Sequence, residues 1–214
     1  DIDMLNNFFE KRLKKLNIEK IIFNSNNDIS FIIDKKFKIN DFNLVSAINI
    51  KNINYKNNLL NFSKYIKNFK DTLVFEDHQI LLSYKKNRFN INGKGKIKIE
   101  NKTDSISYKI QQRNNQYIVN ASLDLSKNDF SIPILNYKKK KNSDLSIKVD
   151  AIYGVKKKLT LNNFSIKENK NSFLIKNLKF NEKKKILSLD HFELNFVNEN
   201  KIKNQLKIKK DNKN

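Results

Sequence analysis

The sequence predicts a mainly β protein, a curved antiparallel sheet forming an open apolar groove with one or two short flanking helices. Two observations carry this. Over most of its length the chain alternates apolar and polar residues with a period of two, the spacing that turns one side of a strand to a core and the other to water. In the C-terminal third, a six-residue phrase (apolar, any, polar, apolar, any, apolar) recurs three times at fourteen-residue spacing. Its copies are Leu161, Asn163, Phe164, Ile166, then Ile175, Asn177, Leu178, Phe180, then Leu189, His191, Phe192, Leu194, and a looser one stands at Ile50, Asn52, Ile53, Tyr55. A fixed period indicates a laterally extended architecture in which each unit covers its neighbour's apolar face.

From the front, residues 3–16 read as an amphipathic helix. Asp3 serves as its cap, and Leu5, Phe9, Leu13 and Leu16 fall at helical spacing. A second helix is expected from Asn58 to Phe69, with Leu59, Phe62, Ile66 and Phe69 along one stripe. Both are expected to pack against the sheet. The strands follow. Phe89, Ile91, Gly93, Gly95, Ile97 and Ile99 share one face, opposite Asn90, Asn92, Lys94, Lys96 and Lys98. The same alternation runs through Ile106, Tyr108 and Ile110, through Tyr117, Val119, Ala121, Leu123 and Leu125, and through Leu145, Ile147, Val149, Ala151 and Tyr153.

Turn-forming residues separate these runs at Asn101–Asp104, Arg113–Gln116, Ser126–Asp129, Lys138–Asp144, Glu168–Asn171 and Asn181–Lys185. Inside the repeated phrase the alternation slips by one residue, from Leu159 and Leu161 to Phe164 and Ile166. An extra residue at Asn162–Asn163 would correct the phase as a β-bulge, and bulges bend a sheet. The expected organisation is an N-terminal helix plus strands over 1–85, a repeating β-groove over 86–199, and a Lys/Asn-rich tail over 200–214 that is either frayed or a last strand. The chain starts at Asp1 without an initiator Met, so it is expected to be a portion or processed form of something longer. An unpaired edge beyond Leu189–Phe196 is then expected to favour self-association.

Composition narrows the chemistry. The 214 residues carry 44 Lys+Arg against 22 Asp+Glu, a net charge of +22. Such an excess attracts polyanions, but Lys and Asn are abundant along the whole chain while Ala and Pro are scarce, which is the compositional bias of an AT-rich genome. No Cys is present, which excludes disulfides and thiolate metal sites. Three Gly cannot build a phosphate loop, and no Ser-His-Asp or paired-carboxylate spacing stands out. His191 occupies the polar slot of the phrase and reads as a strand residue. Asp71, Glu76, Asp77 and His78 read as a solvated turn, and Lys138–Lys141 as a solvated hairpin tip. No catalytic residue, metal ligand set or cofactor is assigned, and an enzyme is not expected.

Two short helices cannot shield about ten strands. Either the sheet closes on itself as a sandwich, or one apolar face stays open for a ligand. In the open case acyl chains would lie along Ile97, Ile99, Ile106, Tyr108, Ile110, Tyr117, Val119, Leu123, Leu145, Ile147 and Val149. A basic β-module binding nucleic acid or another polyanion is the alternative, but its aromatics would have to share a face with its lysines, and they do not.

The stretch Tyr117–Tyr153, YIVNASLDLSKNDFSIPILNYKKKKNSDLSIKVDAIY, resembles a signature of AsmA-like bacterial envelope proteins, in particular their YhdP branch. The matched positions are Ala121, Leu123, Asp124, Leu125, Ile132, Pro133, Leu135, Tyr137 and Lys138, and the phrase repeats that follow are similar to that family's. Lys139–Lys141 stand where the family usually has Pro and Gly, and residues 1–85 resemble it only loosely. The resemblance implies a periplasmic segment of a bridge-like lipid-transport protein. Phospholipid would move along the groove between inner and outer membranes, with an inner-membrane anchor lying outside this chain.

Overall fold

The computed structural model describes residues 18–56, 62–66, 69, 72–86, 88–99, 102–113, 115–154 and 158–210. The helix expected over 3–16 lies outside these. The strands are β1 (Ile18–Ile33), β2 (Ile39–Lys56), β3 (Thr72–Lys85), β4 (Arg88–Ile99), β5 (Lys102–Arg113), β6 (Gln116–Leu125), β7 (Ser131–Ile132), β8 (Tyr137–Lys138), β9 (Leu145–Tyr153), β10 (Leu159–Glu168), β11 (Asn171–Phe180), β12 (Ile186–Ser188), β13 (His191–Val197) and β14 (Lys203–Lys209). Twelve of them form one open antiparallel sheet, in the order β1-β2-β3-β4-β5-β6-β9-β10-β11-β13-β14, with β12 paired to β11. It is a meander, and its connections are short except between β2 and β3 and between β6 and β9. The sheet passes through residue 85 without a break, because β3 and β4 form a hairpin there.

Register places every inward residue of the predicted runs on one face. A single row crosses seven strands as Leu82, Ile91, Ile110, Val119, Ala151, Leu161 and Leu178, each opposite the next. The expected bulge is present: the β10–β9 register shifts between Leu161 and Asn163. Opposite it in β11, Asn177 takes a left-handed φ of 51°, so β10 and β11 carry the extra residue together and Leu161 still faces Leu178. A second matched pair sits near the other end of the sheet. Lys51 in β2 and Asp77 (φ 50°) in β3 are the extra residues there, and Ile50 still faces His78. Bulges increase twist and bend the strands that carry them.

One end of this apolar face is covered by the chain itself. The β6–β9 connection carries β7, a 3-10 turn at Pro133–Leu135 and β8, and it folds back over the sheet as a cap. With Ile66 it buries Phe130 and Tyr137 against Leu73, Ile97, Ile99, Leu125, Leu145, Ile166, Leu194 and Phe196. The Ser131 amide donates to the Tyr65 carbonyl at 2.7 Å, and the Glu199 amide to the Asn136 carbonyl at 3.2 Å, tying the cap to both flanks.

Several expectations are corrected. Of the second helix, the described residues show only a 3-10 turn at Phe62–Lys64, with Ile66 and Phe69 packed into the cap instead of along a helical stripe. Lys138–Lys141 is not a solvated tip, because Lys139 is buried and its Nζ donates to the Ser126 carbonyl at 3.1 Å. Asp77 and His78 belong to a bulge inside β3, where His78 is buried. The tail contains β14, which covers the edge of β13, so the outer edges of the sheet are β1 and β14.

Candidate functional site: an apolar groove closed at one end

The cap is held by two buried carboxylates that bracket a pair of leucines. Leu125 faces Leu145, Leu145 faces Glu168, and Asp104 lies on the same inner row beyond Leu125. Asp104 accepts from the amides of Ser126 (2.9 Å), Lys127 (2.9 Å) and Asn128 (3.1 Å), and from the Asn128 side chain (2.7 Å). Glu168 accepts from the Tyr137 hydroxyl (2.6 Å), the Lys140 amide (2.7 Å), the Asn171 side chain (3.1 Å) and the Ser143 hydroxyl. Burial pushes each carboxyl up. The converging donors outweigh it, and both are held below the usual carboxylate range. Burial, then the Glu168 hydrogen bond and charge, push the Tyr137 phenol well above its ordinary value.

Beyond the cap the inner face is open. Of the eleven sequence-predicted acyl-contact residues, the structure brings all onto this face but gives them three situations. Ile97, Ile99 and Leu145 lie beneath the cap, where the chain's own side chains cover them. Ile106, Leu123 and Ile147 are half-buried at its margin. Tyr108, Ile110, Tyr117, Val119 and Val149 line the open stretch, together with Ile48, Ile80, Ile91 and Leu161 on the same face, while Leu178 at the end of the row is buried. At about 4.8 Å between neighbouring strands, the seven-strand row from Leu82 to Leu178 is about 29 Å long.

The end opposite the cap carries an aromatic rim. Tyr84 faces Phe89, Tyr117 faces Tyr153, and the Phe89 and Tyr117 rings lie 5.8 Å apart. Tyrosine suits such a place because its ring packs on apolar groups while its hydroxyl stays wet. The individual rim residues were visible in the sequence, but only the register shows that they share a row.

The floor of the groove is built by two glycines. Tyr108 lies across Gly93 and His78 across Gly95, each so close that a Cβ would fall at 2.3 Å and 2.2 Å from the respective ring. The two rings stack at 6.1 Å. His78 Nδ1 lies 3.2 Å from the Glu76 carbonyl, to which it donates, leaving Nε2 a buried acceptor with no partner among the described residues. Burial holds the His78 pKa below its ordinary value despite that hydrogen bond. A base with a depressed folded-state pKa supports stability above its unfolded value, about 6.5, and that support is lost as pH falls toward the folded value. The unfolding free energy from urea titrations should therefore fall below about pH 6.5, by at most ~1.4 kcal/mol per pH unit, since one proton is involved. His78→Phe should flatten this part of the profile, and an unchanged slope would remove His78 from the account.

The lysines occupy the other face. Lys94, Lys96, Lys109 and Lys148 alternate with the groove residues, and Lys96 pairs with Asp77 at 2.8 Å. His191 opens β13 with Nε2 3.1 Å from Glu193. No helix among the described residues is long and apolar enough to cross a membrane. Geometry thus defines an open, one-sided antiparallel sheet with a capped apolar groove. In comparisons with known proteins, no family model, curated protein or solved structure matches the chain.

Proposed function

We propose that the open apolar face holds the acyl chains of a lipid, and that the chain is a segment of a bridge-like lipid-transport protein of the bacterial envelope, as its resemblance to AsmA-like proteins implies. The reading is supported above all by the uncapped stretch from Tyr108 to the aromatic rim. It is apolar across seven strands, and the cap cluster does not extend over Tyr108, Ile110, Tyr117, Val119 or Val149. Each buried methylene contributes about 0.8 kcal/mol, so a chain of a dozen carbons is held firmly. A wall of Ile, Val, Leu and Tyr without a charged side chain offers no fixed stopping point, so the chain can slide along it. The Lys-bearing outer face keeps such a device in water. A polyanion on that outer face would meet lysines but no aromatic rings, because Tyr108 and Tyr117 point the other way. Native mass spectrometry of the protein purified without detergent should show co-purifying phospholipid. A lipid-free spectrum, with no uptake from added phosphatidylethanolamine or phosphatidylglycerol vesicles, would overturn the reading.

A further inference from the structure

The two outer edges of the sheet are chemically unlike. β14 carries Lys203, Lys207 and Lys209 in seven residues, the kind of charge that blunts an edge against pairing. β1 is sixteen residues long and carries Glu19, Lys20 and Asp28, a net of −1 in a chain of +22. No described strand pairs with its outer side. Its apolar residues are exposed on both faces, among them Ile22 at 44 %, Phe31 at 48 % and Ile32 at 58 %. A long, near-neutral apolar edge is a template for another strand.

The order of residues in β1 says which strand. Read outward from Asn27, the two ends of the strand mirror one another: Phe23 mirrors Phe31, Ile22 mirrors Ile32, and Ile21 mirrors Ile33; nearer the centre the polar pairs Asn26/Asp28 and Asn24/Ser30 flank one unlike pair, Ser25/Ile29. A two-fold interface demands this, since residue i of one copy must suit residue j and the reverse. In an antiparallel pair centred on Asn27, partners differ by an even number of positions. Inner residues then meet inner ones, and the outward-pointing backbone groups of both copies fall in register. Phenylalanine would lie opposite phenylalanine and isoleucine opposite isoleucine at the two ends of the ladder. Pairing through β14 would instead set lysines against lysines, which opposes it.

We propose that β1 is an isologous dimer interface, in which two copies of this chain pair antiparallel about Asn27 and continue one sheet, with their apolar faces on the same side. The inference does not depend on what the groove holds.

The absence of cysteine makes the test direct. Asn27→Cys puts one thiol on each copy at the two-fold axis, where facing Cα atoms about 4.5–5.5 Å apart suit a disulfide. The full chain should scatter light as a particle of about twice 25.4 kDa at tens of micromolar. Mild oxidation should convert most of the Asn27→Cys protein to a covalent dimer, whereas Gln205→Cys on β14 should stay unlinked. Ile22→Lys combined with Ile32→Lys would place lysine opposite lysine twice at exposed positions, and should weaken the dimer at least tenfold without changing the circular-dichroism spectrum. If that variant fails to fold, the cross-linking result stands without it. A monomer at these concentrations, cross-linking through Gln205→Cys but not Asn27→Cys, or a dimer indifferent to the two lysines would each overturn the proposal.

Discussion

Glu168→Ala is expected to destabilise the protein by about 3 kcal/mol or more, chiefly because it leaves the donors that converge on Glu168 without an acceptor. The Tyr137 hydroxyl is the most costly of these, since its residue is buried in the core with its ring edge-on to Phe196 of β13. A midpoint shift of roughly 2–4 °C per kcal/mol follows for a chain of this size, so the melting temperature should fall by about 6–12 °C. Tyr137→Phe removes donor and demand together on one side of the Glu168–Tyr137 bond and should cost much less. A loss under ~1 kcal/mol for Glu168→Ala would mean that the cap is not anchored as the hydrogen bonds indicate. Asp104→Ala should behave similarly, as it strands the amides of Ser126, Lys127 and Asn128.

The same two carboxylates shape the acid limb of stability. Both have folded-state pKa values below their unfolded ones, so they support the fold above roughly pH 4–4.5 and lose that support as pH falls further. The His78 contribution fades at higher pH, below about 6.5. Acid unfolding should therefore proceed in two limbs, with the lower one removed by Asp104→Asn and Glu168→Gln.

Where burial is one-sided and the strand is internal, the fold was legible in the sequence. Residues 89–125 and 145–153 alternate because each strand lies between two others, and the slip at Asn162 was readable because alternation resumed one step late. β1 was not legible as a strand by period. Ile22 and Ile32 are apolar on the outer side and Ile21, Phe23 and Phe31 on the inner, which erases the alternation. β14 read equally as a tail or a strand because its lysines resemble a solvated segment. The cap escaped altogether. Phe130, Ile132, Leu135 and Tyr137 have no periodicity, since they descend from a loop onto a sheet. Asp104 and Glu168 looked like turn residues, and only the cross-strand register places them under the cap beside Leu125 and Leu145. The groove residues were found as a set for the same reason the strands were. Which of them are open depends on the cap, and so Ile97, Ile99 and Leu145 were expected in the groove but lie in the core.

That division fixes where a blocking charge belongs. Ile106 packs against the covered core, so Asp there would damage the fold. Ile110 stands between Ile91 and Val119 in the middle of the open row. Ile110→Asp leaves the carboxylate hydrated in the empty groove and costs the fold little. A bound acyl chain would have to strip that water from an unpaired charge, which costs several kcal/mol. Bound phospholipid, measured by native mass spectrometry or by uptake of a fluorescent analogue, should therefore fall at least tenfold, while Ile110→Leu keeps it near the starting level. Lys109→Asp changes the charge by two units one residue away, on the opposite face, and should leave lipid uptake unaltered. If Lys109→Asp abolished uptake and Ile110→Asp spared it, lipid would be bound by charge on the outer face, and the apolar rows would have no part in holding it.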